Sequence, residues 1–182
     1  MIRKNLLTIA IVATTTLPIS SFGQGSAKGT NFSKPESLAF SGPENLYECV
    51  KRRNDKELYT LSDKLNPFYL RLDLDGDGKL DFAVLIERAR DKKLGMLVCW
   101  ANKRSEIVFA GTQVEFFGTE SSDDLAEAGM DYWWVYSGKI RKLEELPAPP
   151  PKAGEAIFFG KSEAWGGTLY WTGKKFVVYM GE

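Results

Sequence analysis

The chain has 182 residues, with 24 Lys and Arg against 24 Asp and Glu, no histidine, two cysteines, 43% hydrophobic and 13% aromatic residues. That is one domain's worth of chain with enough apolar content for a real core, and the balanced charge excludes a field able to hold nucleic acid or an anionic bilayer by counterion release. Without histidine there is no imidazole for Ser-His or Cys-His nucleophile pairs and none for most catalytic zinc sites.

The N-terminus carries Arg3 and Lys4, an apolar stretch from Leu6 to Leu17, Pro18 and the small-residue run Ser20, Ser21, Phe22, Gly23. This pattern predicts a secretory signal peptide over residues 1–23, since 12 apolar residues at about 1.5 Å each fall short of roughly 30 Å of hydrocarbon. No cysteine follows closely, so no lipid anchor is expected. Cleavage after Gly23 would leave 22 basic against 24 acidic residues, a faintly acidic periplasmic or secreted product. In an oxidising compartment Cys49 and Cys99 are candidates for a disulfide, with two separate buried thiols as the alternative.

Residues 24–42 are rich in Gly, Ser and Lys and read as a flexible arm or a late-docking strand, leaving 43–182 as a single domain. After Pro43 the spacing of Leu46 and Val50 predicts a helix over about 44–54. Beyond Pro67 the period shortens. Runs at Phe68–Asp73, Phe82–Glu87, Leu94–Trp100, Glu106–Ala110 and Val114–Phe117 read as strands, and the short connections at 90–93 and 102–105 favour antiparallel hairpins. A short helix is expected within Ser121–Met130, where Asp123 and Asp124 follow Ser122. Strands follow at Tyr132–Tyr136, Ala156–Phe159, Thr168–Trp171 and Phe176–Tyr179, the last two joined by Thr172-Gly173-Lys174. The passage 143–154, with Pro147, Pro149, Pro150 and Pro151, cannot be a central strand and reads as a stiff connector. The expected fold is α+β: an antiparallel β meander with a short N-terminal helix.

The strongest chemical signal is Asp73-Leu74-Asp75-Gly76-Asp77-Gly78-Lys79-Leu80-Asp81, with carboxylates at relative positions 1, 3, 5 and 9 and glycines at 4 and 6. A hard cation such as calcium takes six to eight oxygens at about 2.3–2.6 Å, and alternate residues of a tight loop can supply them. An EF-hand would place a glutamate at position 12, where this chain has Val84 inside an apolar run, so that motif is excluded. The loop resembles the calcium loop of FG-GAP and VCBS-type repeats of secreted proteins, which leads directly into a strand. That resemblance implies calcium as the cofactor, Asp73, Asp75, Asp77 and Asp81 as side-chain ligands, and the Lys79 carbonyl as a further oxygen. It covers only residues 68–88, and no second copy supports a propeller. A metal-free Asp-Gly turn is the alternative, at the cost of four carboxylates repelling within nine residues. More broadly, the signal sequence, this loop running into Asp81-Phe82-Ala83-Val84-Leu85-Ile86, and the closing Leu169-Tyr170-Trp171-Thr172-Gly173-Lys174-Lys175-Phe176 resemble small exported bacterial proteins with no known activity.

Aromatic residues crowd the C-terminal third. On a strand, Trp133 and Trp134 must face opposite ways, so one ring at least is expected outside the core. Trp133, Trp134 and Trp165 are candidate ligand-binding residues, for a glycan or another envelope protein, with ordinary packing as the alternative. The acidic pairs Asp123/Asp124 and Glu144/Glu145 show no spacing that selects a glycosidase acid and base. The expected function is a non-enzymatic calcium-binding module. A periplasmic inhibitor or immunity-type protein is the second reading, favoured by a large loop with an exposed acidic tip at Asp123 and Asp124. A carbohydrate hydrolase is third.

Overall fold

A computed structural model describes residues 32–33, 42–53, 57–118, 120–126 and 129–180. The signal peptide expected over 1–23 and nearly all of the arm expected over 24–42 lie outside them. In chain order the elements are β1 (Phe32–Ser33), α1 (Glu44–Arg52), β2 (Tyr59–Leu61), β3 (Tyr69–Leu72), β4 (Asp81–Arg88), β5 (Leu94–Cys99), β6 (Ser105–Phe109), β7 (Val114–Phe116), β8 (Ser121–Ser122), β9 (Tyr132–Tyr136), β10 (Ala156–Lys161), β11 (Trp165–Trp171) and β12 (Phe176–Met180). The architecture is α+β and mostly antiparallel sheet, as the patterning predicts.

Strand β4 buries seven of its eight residues, so it cannot have one wet face. One face presents Ala83 and Leu85, which join Met96, Val98 and Val108 of the same sheet and Ile157, Phe159, Leu169 and Val178 of a second sheet in one core. The opposite face presents Phe82, Val84 and Ile86, which pack against Leu46, Cys49 and Val50 of α1. The layers are therefore helix, sheet, sheet. The helix is amphipathic, with Glu44 in its first turn and Lys51 and Arg52 in its last, each charge matching the dipole end it occupies. Cys49 and Cys99 form the disulfide, Cα atoms 6.0 Å apart, tying α1 to β5.

The first sheet has the order β1-β2-β4-β5-β6, and β3 also pairs with β4. β3 takes the 81–84 half of β4 and β2 the 86–88 half, so β2 and β3 lie end to end along one edge. The second sheet runs β8-β7-β12-β11-β10-β9. The expected single meander is thus two meanders, β3–β6 and β9–β12, and the second is extended by β7 pairing parallel to β12. β1 pairs parallel to β2 through Phe32 and Ser33, the part of the arm that is described. The proline-rich passage forms no strand; its Leu146, with Ile140, covers Tyr170, Val177 and Tyr179 on the outer face of the second sheet. The Tyr179 hydroxyl donates to the Pro147 carbonyl at 3.1 Å and accepts from the Leu143 amide at 3.1 Å. No helix among the described residues is long and apolar enough to cross a membrane.

The helix expected within 121–130 is not found among the described residues. Ser121 and Ser122 form β8, and 123–126 bend and turn. Local side-chain bonding wins there: the Asp124 carboxylate accepts the amides of Leu94 and Ala126, both at 2.8 Å, and the Ser122 hydroxyl accepts the Asp124 amide at 3.1 Å. The Lys93 ammonium donates to Asp123 at 2.6 Å. Both acids hold this loop against the start of β5.

On β6, half-buried Glu106 is held above the ordinary glutamate value of 4.5, chiefly by burial and against the pull of Arg104 and Arg53. A carboxyl whose folded pKa is raised costs stability as pH climbs past 4.5 and costs nothing below it. Glu106→Gln is expected to melt at a higher temperature than the parent at pH 7 and at the same temperature below about pH 4; thermal scans at the two pH values check this.

Candidate metal centre

The loop between β3 and β4 is built by its own acids. Gly76 and Gly78 take positive φ angles, +75° and +81°, where a side chain would be strained, and this folds the loop back on Asp73. One Asp73 oxygen accepts the amides of Gly76 (2.8 Å) and Asp77 (3.0 Å), and the other accepts Gly78 (2.9 Å). Asp75 accepts the Asp77 amide at 3.3 Å.

Asp81 sits where the loop enters β4 and is 1% exposed. Its two oxygens accept the Leu74 amide at 3.0 Å and the Ala101 amide at 2.8 Å, so one carboxylate joins the loop to the β5–β6 turn. Burial raises its pKa above the usual carboxylate range. The two amide bonds oppose that shift, and the negative charges of Asp75 and Asp77 add to it. One oxygen each from Asp73, Asp75 and Asp81 lie within 4.8 Å of one another. Oxygens at 2.3–2.6 Å from a shared ion can be no more than about 5 Å apart, so this spacing fits three ligands of one cation. No Lys or Arg among the described residues pairs with any of the three.

The Asp77 carboxylate and the Lys79 ammonium pair with each other beside this cluster. The Lys79 ammonium donates to Asp77 at 3.0 Å and its amide to the other Asp77 oxygen at 2.8 Å, which holds the Asp77 carboxyl below the usual range. The arrangement brings together three of the four expected carboxylates, with the fourth turned to an ammonium two residues on.

No family model, curated protein or solved structure matches this chain.

The residues fastening the loop from outside carry no local signature. The Glu155 amide donates to the Asp73 carbonyl at 2.6 Å, and the Asp73 amide donates to the Glu155 carboxylate at 2.9 Å. Gly154 passes so close that a Cβ there would lie 2.1 Å from the Asp73 carbonyl oxygen. Ala153 in turn donates to the Trp171 carbonyl at 2.8 Å. The acidic loop therefore bridges both sheets, through β4 on one side and the approach to β10 on the other.

The three candidate tryptophans part company. Trp133 is 2% exposed, with its indole N–H donating to the Pro67 carbonyl at 2.8 Å. Trp165 is partly buried and meets Phe159 edge-on at 5.7 Å. Trp134 is 46% exposed on the outer face of the second sheet. Asp123 and Asp124 are engaged in the contacts above and are not presented as a free acidic tip. Glu144 and Glu145 lie exposed in the connector.

Proposed function

We propose that the β3–β4 loop binds one calcium ion through Asp73, Asp75 and Asp81, and that the protein is an exported, non-enzymatic binding module braced by that ion. The observation that carries this reading is the convergence of three carboxylate oxygens within 4.8 Å, none of them in an ion pair with a Lys or Arg among the described residues. An all-oxygen set suits a hard cation, and here no histidine is present and both cysteines are consumed in the disulfide. The Lys79 carbonyl and water would complete the coordination shell, and release of Asp77 from Lys79 would add a fourth carboxylate. An ion there would offset the burial of Asp81 and lock the β3–β4 hairpin to the segment at 153–155. Export is supported by the leader-like sequence at 1–23 and is compatible with the disulfide.

The test is thermal unfolding of residues 24–182 in chelator, magnesium or calcium, repeated on Asp75→Ala. At tenfold excess over its dissociation constant calcium adds about 1.4 kcal/mol, roughly 3–6 °C for a chain of this size. That shift should vanish in Asp75→Ala. Identical melting in all three conditions would leave the loop as a bare acidic turn.

A further inference from the structure

Along the outer face of the second sheet, aromatic side chains are laid flat by glycines. Tyr132 leans across Gly160, where any Cβ would lie 2.5 Å from its hydroxyl oxygen, and its hydroxyl donates to the Trp165 carbonyl at 3.2 Å. Phe158 leans over Gly166, where a Cβ would lie 2.6 Å from its Cζ. The two rings are nearly parallel, at 9°, with centroids 6.2 Å apart. Trp134 stacks on both, at 5.1 Å and 19° from Tyr132 and 4.7 Å and 25° from Phe158. Were the indole sandwiched between them, two stacking separations of about 3.5 Å would hold Tyr132 and Phe158 farther apart than they are. Both therefore lie beneath the same face of Trp134, which stays 46% exposed and also borders an open cleft with Pro67, Phe68 and Arg71.

This platform continues into a cleft of about 350 Å³ lined by Tyr136, Phe158, Thr168, Tyr179, Arg141 and Lys142. Neither the Arg141 nor the Lys142 side chain has a partner among the described residues. An exposed indole stacked on Phe158, which itself lines the cleft holding the two uncommitted cations, is complementary to a ligand with a flat, weakly polar face and a carboxylate further along. We propose that this strip binds an acidic oligosaccharide, a pyranose stacking on Trp134 and a neighbouring uronate pairing with Arg141 and Lys142. The proposal rests on the binding-module reading but not on the calcium ion.

An extended peptide fits less well. Strand addition would use the outer edge of β9, the end strand of the second sheet, and would leave the ring faces of the platform uncontacted. Single-stranded nucleic acid also stacks on aromatics, but it needs a basic track along its whole backbone, and the cations lining this cleft are Arg141 and Lys142, enough for one carboxylate.

Titration calorimetry, run in calcium and again in chelator, would use a hexasaccharide of alternating glucuronate and N-acetylglucosamine, a neutral chitohexaose, and a single-stranded deoxyoligonucleotide. The acidic sugar should bind best, with an affinity that falls as salt rises. Trp134→Ala, at an exposed position, should weaken both sugars at least tenfold. The double variant Arg141→Ala with Lys142→Ala should bring the acidic sugar down to the neutral one and leave the neutral one unchanged. Loss of the calcium-dependent melting shift with sugar binding intact would sink the metal reading alone. No sugar binding, binding indifferent to Trp134→Ala, or tighter binding of the oligonucleotide would overturn this proposal.

Discussion

Removing the disulfide, as Cys49→Ala with Cys99→Ala, should lower stability by about 2–4 kcal/mol, which for a chain of this size is a fall of roughly 4–16 °C in melting temperature. The bond closes a loop over a sequence separation of 50, so its loss frees the unfolded chain. It also leaves α1 held to the first sheet mainly by the packing of residues such as Leu46 and Val50, with the Arg53 guanidinium donating to the Ser105 hydroxyl at 3.1 Å just past its C-terminus. Calorimetry of the double variant against the parent, with and without reductant, checks this. The parent in reductant should approach the variant, and the variant should be indifferent to it. Equal melting of parent and variant in the absence of reductant would show that packing alone seats the helix.

Asp81→Ala should cost about 2–4 kcal/mol even in chelator, because it strips the acceptor from the buried Leu74 amide and from the Ala101 amide. Asp75→Ala is the control. Its carboxylate accepts only a 3.3 Å bond from Asp77, so in chelator that variant should melt close to the parent. The pair separates what the loop does for the fold from what an ion adds: both variants should lose the calcium response, and only Asp81→Ala should lose ion-independent stability. Chemical denaturation in chelator gives the comparison directly. An Asp81→Ala chain as stable as the parent would mean that water replaces the carboxylate at both amides.

The readable parts of the sequence were those whose causes are local. The apolar stripe of α1, the strands from β3 to β7, the hairpin at Gly173 and the opposite facing of Trp133 and Trp134 follow from period, turn chemistry and alternation within a few residues, although which of the two rings turns outward does not. The acidic loop was legible for the same reason, as its glycines and carboxylates act on one another. What escaped was set at a distance. Val177 lies beside Glu115 in parallel, and nothing within either strand says so. Gly154 is needed because Asp73 arrives against it, and Glu155 because an amide on another element wants an acceptor. The strands β10 and β11 run on through Gly160, Gly166 and Gly167, which sequence reading treats as ends. Rings from Tyr132 and Phe158 lie over Gly160 and Gly166, making the missing side chains a structural requirement. Glycine inside a strand pattern is the signal that could have found the platform. Asp123 and Asp124 misled because an acid after serine suits a helix start as well as it suits a cross-link to a neighbouring strand.

The position of β12 bears on how the molecule comes to be assembled. It lies inside the second sheet, flanked by β7 and β11, although it is the last strand among the described residues. A polypeptide emerging from its N-terminus can form the helix, the cystine and the first sheet early, but β7 and β8 have no seat until residues 176–180 appear. A chain cut short before Phe176 would therefore strand a half-built sheet with two raw flanks, open to proteolysis.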